Sequence, residues 1–356
     1  MFPFGREYDG LLVHKLSKMA GQASPRIVVA SAVRELAKYV QRQMPKASVE
    51  NVVDYNAETF PSAIQSDATL AKRLQDAEVL LGDGKTIITC IRAGATPKLK
   101  WAHSTWAGVE GIMEAFNFQK PHDDFILTRP GHGFGDLMSE YVIGQIIARE
   151  RDFEGIRLKQ QKREWDKSYD YFRPLFTLSI GILGYGAIGK EVAKKCKAMG
   201  MKVWAVNRYQ NTTPSPDVDE FRGMDALGEV LRNCDYVCSI LPHTPATQDL
   251  LSGDVLKQCQ EKKSVLINIG RGSVIRDESL IKAVREGWIG GAILDVFNEE
   301  PLPADSELWS LPNIVITPHV SGPSLPDQVA KTFVDNLKLY NSGKPMNNVV
   351  DWNKGY

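Results

Sequence analysis

Three glycines stand at the spacing a bound phosphate demands. Gly184-Tyr185-Gly186-Ala187-Ile188-Gly189 follows the apolar stretch LSIGIL and opens the amphipathic stretch IGKEVAKKCKAMG. Between a strand and a helix, that spacing reads as a dinucleotide-binding turn. Gly184 permits the tight turn, Gly186 lets main chain approach a pyrophosphate, and Gly189 lets the helix pack on the strand. The helix start, with Ala187 and Ile188 in its first turn, offers unpaired N–H groups and a partial positive charge. A tight turn without a ligand is the alternative, and the placement argues against it. The next strand, KVWAV, runs into Asn207-Arg208-Tyr209. An acidic residue there would bind the ribose 2′-OH of NAD; an Arg nearby accommodates the 2′-phosphate of NADP. Asn207 carries no charge to repel that phosphate, and Arg208 can donate a charge-assisted hydrogen bond to it. The expected cofactor is NADP, with NAD as the alternative. Asp217, Asp219 and Glu220 follow a Pro-containing loop and come too late to serve.

Other reactive residue types are scattered. Cys90, Cys196, Cys234, Cys238 and Cys259 are an odd set in a long chain and not a disulfide framework. Cys234 and Cys238 lack further ligands at matching spacing, so no metal site is expected and buried reduced thiols are. The 356 residues carry 43 basic and 43 acidic side chains, which argues against nucleic acid or an anionic membrane as a partner. The start MFPFGREYDG lacks the pattern of a secretory signal, and no apolar run approaches a membrane span. A cytoplasmic protein is the expectation.

These residues need elements to hold them. Apolar runs at 26–31, 49–54, 78–82, 99–104 and 124–128 read as strands, with helices at 32–43 and 67–76, the latter capped by Asp67, and one starting at Gly108. A long helical segment begins near Asp136 and runs past Phe153 into RLKQQKREW; it is one solvated helix, or a connection between domains that helps build a dimer. A second series follows, with strands at 177–183, 201–206, 237–241, 264–269, 290–295 and 314–317 and helices at 188–198 and 325–341. Alternation of strand and helix implies βαβ units and parallel sheets. The expected fold is α/β: two Rossmann-like doubly wound parallel-sheet domains with the active site in the cleft between them. Residues 1–130 with 323–356 would form a flavodoxin-like substrate domain, and 131–322 the NAD(P)-binding domain.

Three segments behind the glycine turn carry a family likeness: LINIGRGSVI (266–275), GAILDVFNEEPLP (291–303) and ITPHVSG (316–322). In this order the chain resembles the D-isomer-specific 2-hydroxyacid dehydrogenases, and Asn207-Arg208 with ITPHV resembles their glyoxylate/hydroxypyruvate reductase branch. Reduction of a 2-keto acid needs a hydride, a proton for the developing alkoxide and a clamp for the carboxylate. Imidazolium suits the second task, a neighbouring carboxylate favours its charged form, and guanidinium suits the third. The resemblance makes His319 the general acid, Glu300 its partner and Arg271 the group that holds and polarises the substrate. Glu300 precedes Pro301 as the family pattern requires; Glu299 fits less well. The resemblance further implies cofactor contacts from Leu241, Pro242 and Thr247 of the segment LPHTPATQDLL, from Ile269, Gly270 and Gly322, and from Asp295, which would accept a hydrogen bond from the nicotinamide carboxamide. Thr244 is a softer candidate.

The segment KLKWAHSTWAGVE (98–110) resembles the family's substrate loop, in which N–H groups grip the carboxylate. Ala107 and Gly108 match those positions, Trp106 would line the pocket or belong to the core, and His103 reads as structural. Two stretches depart from the family pattern. Pro323 and Pro326 must change the turn after His319, and GDGKTIITCIRAGATP (82–97) looks like an apolar insertion at the substrate entrance. The implied partner is a small 2-keto or 2-hydroxy acid, and a homodimer is expected. A dinucleotide-sensing corepressor would want long tails and an acidic ribose ligand, where this chain has a short WNKGY end and Asn207. A dehydrogenase of formate or phosphite is a further alternative.

Overall fold

The computed structural model describes residues 25–52, 60–131, 133–167, 172–208 and 214–353. The chain start, the last positions of the expected strand at 49–54, and Tyr209 lie outside the described residues. In chain order the elements are β1 (Ile27–Ala30), α1 (Leu36–Gln43), β2 (Val49–Asn51), α2 (Phe60–Ser66), α3 (Ala68–Gln75), β3 (Val79–Gly82), α4 (Gly84–Arg92), β4 (Trp101–Ser104), α5 (Glu110–Ala115), β5 (Ile126–Thr128), α6 (Phe134–Glu150) and α7 (Phe153–Lys162). There follow β6 (Ser179–Leu183), α8 (Ala187–Ala198), β7 (Lys202–Asn207), β8 (Glu220–Gly223), α9 (Leu227–Asn233), β9 (Tyr236–Ser239), β10 (Val265–Asn268), α10 (Asp277–Arg285), β11 (Gly291–Leu294), β12 (Ile314–Ile316) and α11 (Pro326–Asn341).

The chain divides into two compact units. One holds the described residues up to Gly133 together with those from Ser324 onward; the other is Phe134–Pro323. Each is a parallel sheet between helices. The first sheet has the order β2-β1-β3-β4-β5, that of a flavodoxin-like doubly wound fold, and the second runs β12-β11-β10-β9-β6-β7-β8.

Burial on both faces explains why the strands read as unbroken apolar runs. In the first unit, Ile27, Val29, Val79, Leu81 and Trp101 face α1 and α11, while Val28, Leu80, Ala102 and Leu127 face the helices on the other side. Trp101 stacks on Phe333 of α11 with ring centroids 5.1 Å apart. Each fully buried Leu or Phe here contributes about 1.5–3 kcal/mol relative to exposure. Buried His103 donates to or accepts from Thr128 Oγ1 at 2.6 Å, and burial pushes its pKa down to about 3, a neutral structural side chain. In the second unit Ile180, Ile182, Val203 and Ile267 pack with Val142 and Ile146 of α6 and Val192 and Cys196 of α8. All five cysteines are buried and unbonded. No helix among the described residues is long and apolar enough to cross a membrane.

Two sequence readings need correction. The long helix past Asp136 is two helices: Asp152 takes a left-handed backbone (φ 45) and its carboxylate accepts the Gly155 N–H at 3.2 Å, ending one helix and capping the next. The supposed insertion at 82–97 is α4, an ordinary crossover from β3 to β4 that buries Ile87 and Cys90. Pro326 opens α11, where a missing N–H has no helical partner to lose. The capped start of α3 is as read: Asp67 accepts from the N–H of Thr69 and Leu70.

Candidate active site

The glycine turn sits between β6 and α8, at the point where the second sheet's strand order reverses. Open α/β sheets bind ligands outside the carboxyl ends of strands at such a point. Gly184 has φ 104, a conformation only glycine adopts freely. A Cβ on Gly189 would stand 2.1 Å from the Gly184 carbonyl oxygen, so the helix meets the strand there only without one. Gly186 and Ala187 are exposed and Ile188 partly so; α8 has no acidic residue in its first turn to occupy its positive end. The main chain of buried Gly270 lies against that of Leu241, where a Cβ would be 2.8 Å from the Leu241 N and O atoms. The loops after β6, β9 and β10 thus meet through backbone.

Asn207 Oδ1 accepts the Tyr185 N–H at 3.0 Å and braces the turn. Arg208 is exposed and has no hydrogen-bond or ion-pair partner among the described residues. Asp219 is spent elsewhere, on the Val203 N–H and Lys197. A backbone cradle with an uncommitted guanidinium beyond it fits a dinucleotide carrying a 2′-phosphate. In the next loop, Thr247 Oγ1 donates to the Pro242 carbonyl at 2.6 Å and accepts the Thr244 N–H at 3.0 Å, so these side chains shape their own turn. Ile269 is buried, and Gly322 packs against Met138 and Phe134 of α6.

His319, Glu300 and Arg271 come together in the same unit. His319 Nδ1–H donates to Glu300 Oε2 at 2.8 Å, and Glu300 Oε1 accepts the Phe297 N–H at 2.9 Å. The Glu300 bond holds the His319 imidazole above its ordinary pKa of 6.5, against partial burial and the Arg271 charge, with further help from the Glu300 and Asp295 charges. Partial burial pushes the Glu300 carboxyl up, but its bonds to His319 and Phe297 and the charges of His319 and Arg271 outweigh that and keep it below the usual range. Arg271 is partly buried, and its Nη1 donates to the Gly270 carbonyl at 2.7 Å. A cation, a hydrogen-bonded imidazole and a carboxylate are thus gathered within electrostatic reach of one another.

Fully buried Asp295 directly follows β11 and ties the turn that carries His319. Its Oδ1 accepts the Thr317 hydroxyl at 2.5 Å and the Val320 N–H at 2.8 Å, and its Oδ2 accepts the Ser321 N–H at 2.8 Å. His319 itself has a left-handed backbone (φ 54), and its N–H donates to the Asp295 carbonyl at 2.9 Å. Sequence reasoning missed Thr317 and Tyr141, whose hydroxyls are 2.7 Å apart and extend this network into α6. Thr317 lies inside a quoted motif; nothing local to Tyr141 marks it.

In the first unit, the loop after β4 carries Trp106, Ala107 and Gly108. The N–H groups of Ala107 and Gly108 donate to no protein group among the described residues. Trp106 is 43% exposed and so is not a core residue. Asp83 was also missed: an acid directly after an apolar strand, in GDG, was its signal.

A description of the D-isomer specific 2-hydroxyacid dehydrogenase NAD binding domain matches residues 143–321. Glyoxylate/hydroxypyruvate reductase A of Photorhabdus laumondii subsp. laumondii is 35% identical over 256 residues, covering 70% of this chain and 79% of the relative. A D-isomer specific 2-hydroxyacid dehydrogenase family protein from Aeromonas salmonicida superposes with a TM-score of 0.80 at 32% identity, over 93% of this chain and 100% of the other. A D-isomer specific 2-hydroxyacid dehydrogenase from Xanthobacter autotrophicus Py2, solved with NADPH and MES, gives 0.77 at 25% identity, over 94% and 100%.

Proposed function

The chain belongs to the D-isomer specific 2-hydroxyacid dehydrogenase family, and from that premise we propose that it reduces a short 2-keto acid, of the glyoxylate or hydroxypyruvate kind, to the D-2-hydroxy acid with NADPH. The carrying observation is the His319–Glu300 bond at 2.8 Å with the Arg271 charge acting on both. When bound, the reduced nicotinamide supplies a hydride for the keto carbon. Gly184, Gly186, Ala187, Ile188 and Gly189 hold the pyrophosphate, and Asn207 and Arg208 meet the phosphorylated ribose. Leu241, Pro242, Thr247, Ile269, Gly270 and Gly322 are assigned to the remainder; Asp295, expected to meet the carboxamide, is fully buried with its oxygens on Thr317, Val320 and Ser321, and acts through the turn it ties. His319 gives the keto oxygen its proton from Nε2, because Nδ1 is committed to Glu300. Arg271 clamps the substrate carboxylate, and the N–H groups of Ala107 and Gly108 and the ring of Trp106 are also assigned to the substrate. The reductases named among the relatives support the size of the substrate, and the NADPH-bound neighbour supports the cofactor.

We assign the substrate to the domain of residues 1–130 and 323–356 and the cofactor to 131–322. The five unbonded thiols suit a reducing cytoplasm. Exposed Phe153, Ile156 and Leu158 on α7, with Trp165 after it, support a homodimer.

The test is an initial-rate assay crossing NADPH and NADH with glyoxylate, hydroxypyruvate, pyruvate and phenylpyruvate. NADPH with the two smallest polar acids is expected to be fastest. Arg208→Ala should lower kcat/KM for NADPH by roughly 10–100-fold, the worth of a charge-assisted hydrogen bond, and leave the NADH value nearly unchanged. A wild-type preference for NADH would overturn the role of Arg208.

The pH profile tests the acid. Reduction needs protonated His319, so kcat/KM should fall with rising pH, through a midpoint above the ordinary histidine value of 6.5. In Glu300→Gln the bond to a carboxylate is gone while burial and Arg271 still disfavour the cation, so the midpoint should move to lower pH. A midpoint that stays in place would mean that another group supplies the proton.

A further inference from the structure

The first sheet has a ligand-binding end of its own. Its order reverses between β1 and β3, and outside the carboxyl ends of those strands lies an open groove of about 420 Å³. Ala32, Val33, Arg34, Asp83, Trp106, Ser324 and Pro326 line it.

The groove is a built feature. Asp83, 4% exposed, ties its two main walls together. Its Oδ1 accepts the Ser31 hydroxyl at 2.6 Å and the Thr105 hydroxyl at 2.5 Å, and its Oδ2 accepts the Ala32 N–H at 2.7 Å. Ser31 and Ala32 lead to Arg34, and Thr105 leads to Trp106. The Ser324 hydroxyl donates to the Thr105 carbonyl at 2.8 Å and secures a third wall. Trp106 lies over Gly84, where a Cβ would stand 3.3 Å from the indole ring.

Its charges are unequal in availability. The Asp83 oxygens are taken by three donors. Arg34 is exposed and has no ion pair or hydrogen bond among the described residues, and its neighbour Glu35 is paired with Lys38. A buried, satisfied carboxylate and a guanidinium without a partner among the described residues leave the groove receptive to an anion.

We propose that this groove is a second anion subsite, in which Arg34 receives a carboxylate or phosphate at the far end of a 2-keto acid whose own carboxylate is held beside Trp106 by Ala107 and Gly108. It rests on the keto-acid reading above and narrows it to substrates with two anionic ends. Guanidinium binds either group through paired donors.

The test compares oxaloacetate with 2-oxobutanoate, similar in length and different in end charge, and adds phosphohydroxypyruvate against hydroxypyruvate to separate carboxylate from phosphate. Wild type should favour at least one anionic member over its neutral counterpart by tenfold or more in kcat/KM. Arg34→Met should collapse that ratio. Calorimetric titration with malonate against acetate gives a readout independent of turnover: malonate should bind the more tightly, and Arg34→Met should lose the difference. Turnover with ratios that Arg34→Met leaves unchanged overturns the subsite. Absence of turnover on every acid, with malonate binding still dependent on Arg34, upholds the subsite and overturns the reductase reading instead.

Discussion

His319→Asn should lower kcat for keto-acid reduction by about 10²–10⁴-fold, the usual contribution of a positioned general acid, if the role proposed for this side chain holds. Asparagine is the informative replacement. Position 319 has φ 54, and Asn tolerates the left-handed region better than most residues, so the turn tied by Asp295 should survive. Cofactor affinity, followed by fluorescence titration, should stay within a few-fold, because the side chain leaves the glycine turn untouched. A variant that binds cofactor normally and keeps more than a tenth of its turnover would remove His319 from the chemistry.

Gly272→Ala is expected to be the most damaging single methyl group in the second unit. Its Cβ would lie 1.9 Å from the carbonyl carbon of Phe297 and 2.4 Å from the N atom of Asn298. Both are backbone, so nothing flexible can swing aside. Overpacking of this kind costs about 1–3 kcal/mol, which in a unit of this size lowers Tm by roughly 2–12 °C. Activity should fall further than stability explains. Arg271 is the preceding residue, and the Phe297 N–H is the group that holds Glu300. Gly144→Ala is the control: that Cβ would meet nothing within 4 Å, in the interior of α6, where alanine is the better helix former. Equal Tm and equal rates for the two variants would show that the close contact is relaxed in solution.

What could be read in the sequence was whatever is local. A strand buried on both faces announces itself as IVVA or SIGIL, and a turn that admits only glycine announces itself by glycines. Arg271, Glu300 and His319 stood out because each sits in a distinctive short segment. Features that depend on one side chain bonding to a distant neighbour were not visible. The break at Asp152 turns on a carboxylate folding back onto its own chain, inside a stretch that otherwise reads as continuous helix. Strand β8 (EFRG) has no apolar run because it is an edge strand, half-exposed. The groove around Arg34 is the extreme case: the order β2-β1-β3-β4-β5 puts the strand ends near 32, 83 and 106 side by side, and the Ser324 hydroxyl joins them through the Thr105 carbonyl. The helix α4 was misjudged for a different reason: its buried Ile87 and Cys90 made an ordinary crossover look like an excess of apolar residues.

The meeting of main chain at Gly184, Leu241 and Gly270 has a consequence for how such a protein can diversify. A surface made of backbone presents the same N–H and C=O groups whatever the neighbouring side chains are. The grip on what all dinucleotides share is therefore insulated from sequence drift at every position except the glycines. On the proposed reading, the features that distinguish one dinucleotide from another fall to Asn207 and Arg208, at the end of a different strand. Exchange there retunes which cofactor is taken without rebuilding the means of taking it, so an inherited scaffold can change its electron source in one or two steps.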